Sequence, residues 1–187
     1  MSNTFLNQLL ANNIKRDDIE LLLSLYTSKS YKKDELIIKE GQTCNYIFYI
    51  EKGLAKLVTH NNEREFIMQF FDEGFFMSVI DSFTLQQPSA YELRALEDCE
   101  LLLLHRDQYD KICVSNHAID ILFRKIMQAA LANMFKRINV MLKCDATQRY
   151  EFFLKNQAYL VQRISLGDLA NYLGITQASL SKIRAKK

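Results

Sequence analysis

Several residue types are scarce in this chain of 187 residues. Proline occurs once and glycine five times, which excludes collagen-like, proline-rich and glycine-rich classes of protein. No apolar run approaches the roughly 20 residues that span a bilayer, so we expect no membrane association. Residues 1–6 lack the basic and apolar regions of a signal peptide, which predicts a cytoplasmic protein.

Cysteine and histidine are too scattered for the common metal centres. The four cysteines are Cys44, Cys99, Cys113 and Cys144, and the three histidines are His60, His105 and His117. The cysteine spacing fits no zinc or iron–sulfur motif and predicts free, partly buried thiols. A metal-dependent enzyme built on a barrel needs two or three converging histidines. No nucleophile motif or phosphate-binding loop stands out either, so we predict no catalytic residues, no metal, no cofactor and no enzymatic activity.

The charges are unevenly divided along the chain. Residues 1–115 hold 12 basic and 18 acidic residues, a net charge of −6, whereas residues 116–187 hold 12 and 4, a net charge of +8. No acidic residue follows Asp168. This asymmetry indicates that the second half meets an anion such as nucleic acid. The alternative is a solvated basic surface without a partner.

Strand patterns dominate the first half and helix patterns the second. Residues 4–26 are helical in periodicity, with a break at Asn12 and Asn13. Short apolar or alternating runs punctuated by turns then predict strands at residues 36–38, 46–50, 54–58, 66–71, 91–95 and 99–104. This spacing is typical of an antiparallel sandwich or barrel. Since helices follow the strands, we predict an α+β protein.

Residues 117–142 predict one long helix, because about 26 residues follow one another without glycine or proline. At 1.5 Å per residue it measures about 39 Å, more than a small domain needs. A coiled-coil-like seam with steps of three and four runs through Ile119, Leu122, Ile126, Ala129 and Asn133. We therefore predict a dimer helix, with Asn133 fixing its register. The alternative is a helix that packs only on its own barrel.

Residues 164–184 carry the most informative pattern, that of a helix-turn-helix. Ser165 is suited to cap a short helix over 166–173, with Asp168 in the third helical position of a capping box. Gly174 supplies a tight turn, and Thr176 caps the second helix. Seven positions have the expected small, turn or apolar character at fixed spacing: Leu169, Ala170, Leu173, Gly174, Ile175, Leu180 and Ile183. Any helical hairpin with a glycine turn is the alternative.

The second helix would meet DNA in the major groove. The predicted DNA-binding residues are Ser165, Thr176, Gln177, Ala178, Ser179, Ser181, Lys182 and Arg184. Gln177 is suited to pair with adenine, and Lys182 with guanine or a phosphate. Lys186 and Lys187 would add attraction to the DNA backbone.

The chain as a whole resembles the Crp/Fnr family of bacterial transcription regulators. Besides the helix-turn-helix, the resemblance lies in the segments Glu40–Gln42, Tyr46–Gly53, Glu73–Phe76, Leu93–Glu100 and Gln148–Leu154. It implies an antiparallel β-roll of the cyclic-nucleotide-binding type, a double-stranded β-helix or jelly roll with flanking helices, over 1–115. It further implies a dimerisation helix over 116–142 and a helix-turn-helix domain over 143–187.

Membership in this family would imply a homodimer that binds a palindromic site on double-stranded DNA and has RNA polymerase as a candidate further partner. A small signal in the β-roll would shift the DNA-binding units between two arrangements. The runner-up interpretation is a ligand-sensing or protein-interaction module whose DNA-binding unit is truncated or inactive.

The sequence departs from the family pattern in four places. Ser78–Val79 and Ser89–Ala90 replace the Gly-Glu and Arg-Ser pairs that hold cyclic AMP, so we expect no binding by the usual contacts. Residues 1–43 hold no cysteine for an iron–sulfur cluster. Ala178 stands where an acidic base-reading residue is usual. The sequence ends four residues after Ile183, which predicts a domain without a β-wing.

The effector of such a protein is unknown, and the predicted pocket is mostly apolar. Its residues are Phe70, Phe76, Met77, Ser78, Val79, Ser89, Ala90 and Tyr91. These side chains would accept an apolar or mildly polar ligand, but the same set would equally fill a closed core.

Overall fold

The computed structural model describes residues 3–12, 14–61 and 64–185. Its contacts divide the chain into two compact units. Unit 1 comprises Met1–Leu57 and Phe70–Gln128, and unit 2 comprises Val58–Gln69 and Ala129–Lys187. The functional boundaries predicted from the sequence, at 115/116 and 142/143, remain a prediction. None of the helices in the described ranges has the length and hydropathy of a membrane-spanning segment.

Eight helices and eight strands are present in the described residues. The helices are α1 Asn3–Ala11, α2 Arg16–Ser24, α3 Ile80–Leu85, α4 Arg106–Ser115, α5 His117–Lys143, α6 Ala146–Gln157, α7 Leu166–Leu173 and α8 Gln177–Ala185. The strands are β1 Thr27–Tyr31, β2 Leu36–Ile38, β3 Tyr46–Lys52, β4 Ala55–Asn61, β5 Arg64–Phe71, β6 Phe76–Met77, β7 Glu92–Ala95 and β8 Cys99–His105. A short 3-10 helix, Ala158–Gln162, follows α6.

The strands form two four-stranded sheets, in the orders β1-β8-β3-β6 and β2-β7-β4-β5. In the first sheet Leu103 of β8 lies between Thr27 of β1 and Phe48 of β3, in antiparallel register. The predicted α+β class, with antiparallel sheets and flanking helices, is therefore confirmed. The prediction that the helix-turn-helix lacks a wing remains a prediction.

The central strand β3 shows why its sequence has no polar alternation. Ile47, Phe48, Tyr49 and Ile50 are all buried. Successive side chains of a strand point to opposite faces, so both faces of β3 must be covered. Helix α1 helps to cover one of them, since the Phe5 ring stacks on Tyr49 with 4.2 Å between centroids. A continuous apolar run is the result.

The cysteines lie in this fold as free thiols, as their spacing predicts. Cys44 and Cys99 are buried, and Cys113 and Cys144 are half-buried. Burial raises the pKa of Cys99 and of Cys113 to about 11. These two thiols are therefore protonated at neutral pH and weak as nucleophiles or metal ligands.

Helix α5 has two apolar stripes, and the predicted dimer seam starts on the inner one. Ile119 and Leu122 are buried in the core of unit 1, and their part in a dimer contact stays a prediction. Ile126 is half-buried against the same core, and Ala129 and Asn133 are exposed. The reason is that the β-roll needs a helix to cover one of its faces, and this stripe supplies it.

A second stripe lies on the far side of α5. Within unit 2, Leu131, Phe135, Ile138 and Leu142 are 52%, 63%, 45% and 80% exposed. They are separated by four, three and four residues, the spacing of a coiled-coil seam. At about 100° per residue they share one side of the helix, and Ala129 and Asn133 lie about 160° away from Leu131.

Two glycines with positive φ offer a matched test of the turns. At Gly53 (φ +99°) an added Cβ would lie 2.6 Å from the Asp98 carbonyl oxygen, whereas at Gly41 (φ +80°) it would meet nothing within 4 Å. Gly41→Ala should cost about 1–2 kcal/mol through backbone strain alone. Gly53→Ala should cost roughly 3 kcal/mol or more, since a backbone clash is added. Urea unfolding of both variants measures the difference, and equal losses would contradict the expected clash.

Candidate nucleic-acid interface

Helix α7 is held by the caps and contacts that its sequence predicts. The Ser165 hydroxyl oxygen accepts a hydrogen bond from the Asp168 backbone N–H at 3.0 Å. The same hydroxyl donates to the Asp168 carboxylate, an arrangement that differs from the predicted capping box. Leu169, Ala170 and Leu173 are buried. Gly174 ends the helix with φ +68° and ψ +31°, a left-handed conformation that favours glycine.

Helix α8 is anchored by one face and leaves the other in solvent. The Thr176 hydroxyl oxygen accepts from the Ser179 backbone N–H at 3.2 Å, so Thr176 caps the helix start as predicted. Leu180 is 0% exposed and Ile183 is half-buried. All eight predicted DNA-binding residues are exposed: Ser165, Thr176, Gln177, Ala178, Ser179, Ser181, Lys182 and Arg184. Lys186 and Lys187 lie outside the described residues.

The exposed surface of α8 is positively charged. Lys182 and Arg184 lie in its last turn, and its first turn contains no acid. Because no acidic residue follows Asp168 in the sequence, no carboxylate of α8 neutralises them. Ala178, Ser179 and Ser181 precede these cations along the helix and have small side chains. Such a helix can approach a polyanion closely without burying an unpaired negative charge.

The effector residues predicted from the sequence lie mostly inside the β-roll. Buried side chains are Phe70, Met77, Val79 and Ser89, half-buried ones are Phe76, Ser78 and Tyr91, and Ala90 is exposed. The aromatic rings contact further rings, with 6.2 Å between the centroids of Phe76 and Phe123. This burial agrees with the alternative in which these side chains fill a closed core.

The two serines that replace the cyclic-nucleotide contacts are bound internally. The Ser78 hydroxyl donates to the Tyr46 carbonyl oxygen at 2.9 Å. The Ser89 hydroxyl donates to the Tyr91 carbonyl oxygen at 2.8 Å and accepts from the Tyr91 N–H at 2.9 Å. Both hydroxyl protons are therefore donated to backbone carbonyl oxygens of the β-roll. A cleft of about 290 Å³ lies elsewhere, between β1, β2 and β3, and none of the predicted pocket residues lines it.

Two features of unit 2 were not predicted from the sequence. One is the outer stripe of α5, whose signal is the spacing of Leu131, Phe135, Ile138 and Leu142. The other is Arg137, a cation eleven residues after Ile126 and so on the same side of α5. A single charge in line with an apolar stripe is the only signal that it offers.

The comparisons with known proteins agree with this architecture. Residues 28–116 match the family model of the cyclic nucleotide-binding domain. An anaerobic regulatory protein of Bacillus subtilis (strain 168) is 23% identical over 175 residues, which are 92% of this chain and 73% of that protein.

Solved structures show the same fold over most of the chain. FixK2 from Bradyrhizobium japonicum has a TM-score of 0.75 at 19% identity, covering 86% of this chain and 83% of its own. A CooA mutant from Carboxydothermus hydrogenoformans has a TM-score of 0.73 at 18% identity, with 88% and 77% covered. The catabolite activator protein of Thermus thermophilus has a TM-score of 0.61 at 18% identity, with 95% and 85% covered.

Together the fold and the site define a protein in which a cyclic nucleotide-binding-type β-roll precedes a helix-turn-helix. The resemblance of the whole chain to the Crp/Fnr family is confirmed by its β-roll, its relative and its structural neighbours.

Proposed function

We propose that the protein is a dimeric, sequence-specific DNA-binding transcription regulator without enzymatic activity. The observation that carries the proposal is the exposed face of α8, where the six predicted DNA-binding residues of this helix lie in solvent while Leu180 is buried on its opposite face. Contact with RNA polymerase belongs to the proposal as a prediction.

In this function α8 enters the major groove and its first residues face the base edges. Gln177 is the candidate for a bidentate contact to adenine, and Lys182 for guanine or a phosphate. The Gln177 amide lies over Gly167 of α7, where an added Cβ would be only 2.7 Å from Nε2. Because Gly167 has no side chain, the Gln177 side chain fits against α7 at this point. Arg184 adds a second cation for the DNA backbone.

The dimer forms through the outer stripe of α5 rather than through the seam predicted from the sequence. Exposed Leu131, Phe135, Ile138 and Leu142 follow coiled-coil spacing, and a partner copy would cover them in an isologous contact. Two symmetric copies of α8 then read two half-sites, which is the reason for expecting a palindrome.

The effector differs from that of cyclic-AMP-responsive members in this proposal. Binding the cyclic phosphate needs a cation, and the arginine position holds Ser89, whose hydroxyl is bound to Tyr91. An iron–sulfur cluster would need cysteines in residues 1–43, which have none. We therefore infer an effector other than these two, or none.

Selection of the purified protein on random duplex DNA tests the proposal. We expect enrichment of a palindrome, whose binding weakens steeply with salt. Lys182→Gln should weaken binding and reduce the slope of log affinity against log salt by about 1. The control Lys111→Gln removes the same charge from an exposed position of α4 and should change neither the affinity nor the salt slope. Failure to enrich any sequence would overturn the proposal.

Cyclic AMP, added to the same titration, tests the effector part. Unchanged affinity is the expected result. A shift in affinity on its addition would show that the β-roll binds the nucleotide through contacts other than the usual ones.

A further inference from the structure

Arg137 joins three elements of unit 2 through one guanidinium group. Its Nη2 donates to the Ile67 carbonyl oxygen in β5 at 2.9 Å and to the Tyr172 carbonyl oxygen in α7 at 2.8 Å. The guanidinium carbon lies 3.7 Å from the centroid of the Tyr172 ring. Burial lowers the pKa of Arg137, but an arginine stays charged at neutral pH. One side chain of α5 therefore holds both β5 and α7.

The acceptor on α7 needs such a donor. The last four carbonyl groups of a helix have no partner within it, and Tyr172 is among the last four residues of α7. Ala170 O accepts from the N–H groups of Gly174 and Ile175, which leaves Tyr172 O to a side chain. A cation is also favoured at this end by the helix dipole. Arg137 meets both requirements.

Strand β5 makes two more contacts with the same end of α7. Arg64 Nη2 donates to the Ile175 carbonyl oxygen at 3.2 Å, and Asn171 Nδ2 donates to Glu65 Oε1 at 3.4 Å. These contacts are more exposed than that of Arg137 and should contribute less. They nevertheless extend the attachment to Ile175, one residue before the Thr176 cap of α8.

We propose that Arg137 is a positioning residue that fixes the direction of α8 relative to α5 and thereby sets the half-site spacing that the dimer accepts. The inference rests on the proposed function. In a dimer built on α5, the distance between the two copies of α8 depends on how α7 and α8 are attached to that helix. Dimeric helix-turn-helix proteins bind half-sites at defined separations, so a looser attachment relaxes this selectivity.

The DNA test compares Arg137→Gln with Lys125→Gln. Lys125 is an exposed cation on the same helix, about 120° from Leu131 and so off the outer stripe. Affinity is measured for the selected palindrome, for versions with one base pair added or removed between half-sites, and for a single half-site. We expect Arg137→Gln to lose about tenfold on the palindrome, as for a charged hydrogen bond, and to bind the altered spacings with less discrimination. Single half-site binding should stay within about twofold, because α8 keeps its own contacts.

Hydrogen exchange without DNA tests the attachment itself. The amides of Gly174 and Ile175 should exchange about tenfold faster in Arg137→Gln than in the Lys125→Gln control. Arg137→Lys keeps the charge but lacks the planar fork, so partial rescue is expected.

Three results would overturn the inference. They are unchanged exchange at Gly174 and Ile175, unchanged spacing preference, and an equal loss on the single half-site and the palindrome. If the wild-type protein selects no DNA at all, the proposed function fails instead, and the exchange experiment still decides whether Arg137 fastens α7.

Discussion

Replacing Leu131 and Ile138 together by Asp is expected to convert the proposed dimer into a monomer. Both side chains are exposed in the single chain and lie on the outer stripe of α5, so a partner copy would bury them. Carboxylates there would be desolvated next to apolar neighbours and next to their own symmetry mates. We expect the dimer dissociation constant to rise at least about a thousandfold, roughly 4 kcal/mol. Sedimentation equilibrium measures the dissociation constant of the dimer.

The matched control places the same charges on the other side of the helix. Ala129→Asp with Asn133→Asp alters two exposed residues of the seam predicted from the sequence. This variant should remain dimeric and keep its affinity for the palindrome, whereas Leu131→Asp with Ile138→Asp should lose that affinity. The opposite pattern would show that the dimer uses the seam predicted from the sequence.

Truncation of Leu180 should detach the helix-turn-helix from its core while leaving the β-roll folded. Leu180 is 0% exposed and is the buried residue of α8, with Leu169 and Leu173 buried on α7. Leu180→Ala should cost about 2–5 kcal/mol, because the cavity cannot close without moving a helix. A loss of this size removes a large part of the stability of a small unit. DNA affinity should fall at least about a hundredfold, since an unfolded helix does not bind.

Leu85→Ala is the control for this change, because Leu85 is 63% exposed on α3. The same methyl groups are removed there without a cavity, so stability should change by about 0.5 kcal/mol or less. Hydrogen exchange resolves the effect by region. In Leu180→Ala the amides of α7 and α8 should lose protection while those of β8 keep it. Retained protection in α8 would contradict the expected role of Leu180.

The helix-turn-helix could be predicted from the sequence because its pattern is local. Ser165 and Thr176 cap backbone N–H groups three residues away, and Gly174 ends α7 through its own positive φ. The buried residues Leu169, Leu173 and Leu180 are also close together in the sequence. Spacing therefore determines the geometry almost completely. Six of the eight strands in the described residues were predictable for a similar reason, since short apolar runs separated by turns have few other arrangements. β1 and β6 were not predicted, because β1 is polar except for Tyr31 and β6 has only two residues.

The orientation of α5 could not be predicted in the same way. Its sequence has two apolar stripes, one through Ile119 and Leu122 and one through Leu131 and Ile138. Periodicity shows that a stripe exists, but not whether the chain itself or a second copy covers it. That choice depends on the shape of the β-roll, which is built from strands distant in the sequence.

Hydrogen bonds over long sequence separations were equally hidden. Ser78 donates to Tyr46, 32 residues earlier, and Arg137 donates to Ile67, 70 residues earlier. Both acceptors are backbone carbonyl oxygens, which every residue type has. No pattern of side chains can therefore reveal such a pair before the fold is known.

Because these hydrogen bonds end on backbone carbonyl oxygens, they also limit which residues must be kept when the preferred DNA sequence changes. Arg137 and Arg64 bind main-chain atoms of Ile67, Tyr172 and Ile175, so two of these acceptors, Ile67 and Ile175, impose no side-chain identity at the contact. Only the stacked ring of Tyr172 adds a requirement of its own. Under the proposed function, selection on which bases are read falls on the solvent face of α8, and selection on the direction of that helix falls on Arg137. Base preference and the direction of α8 can therefore change independently, so a new target sequence does not require new contacts at Arg137.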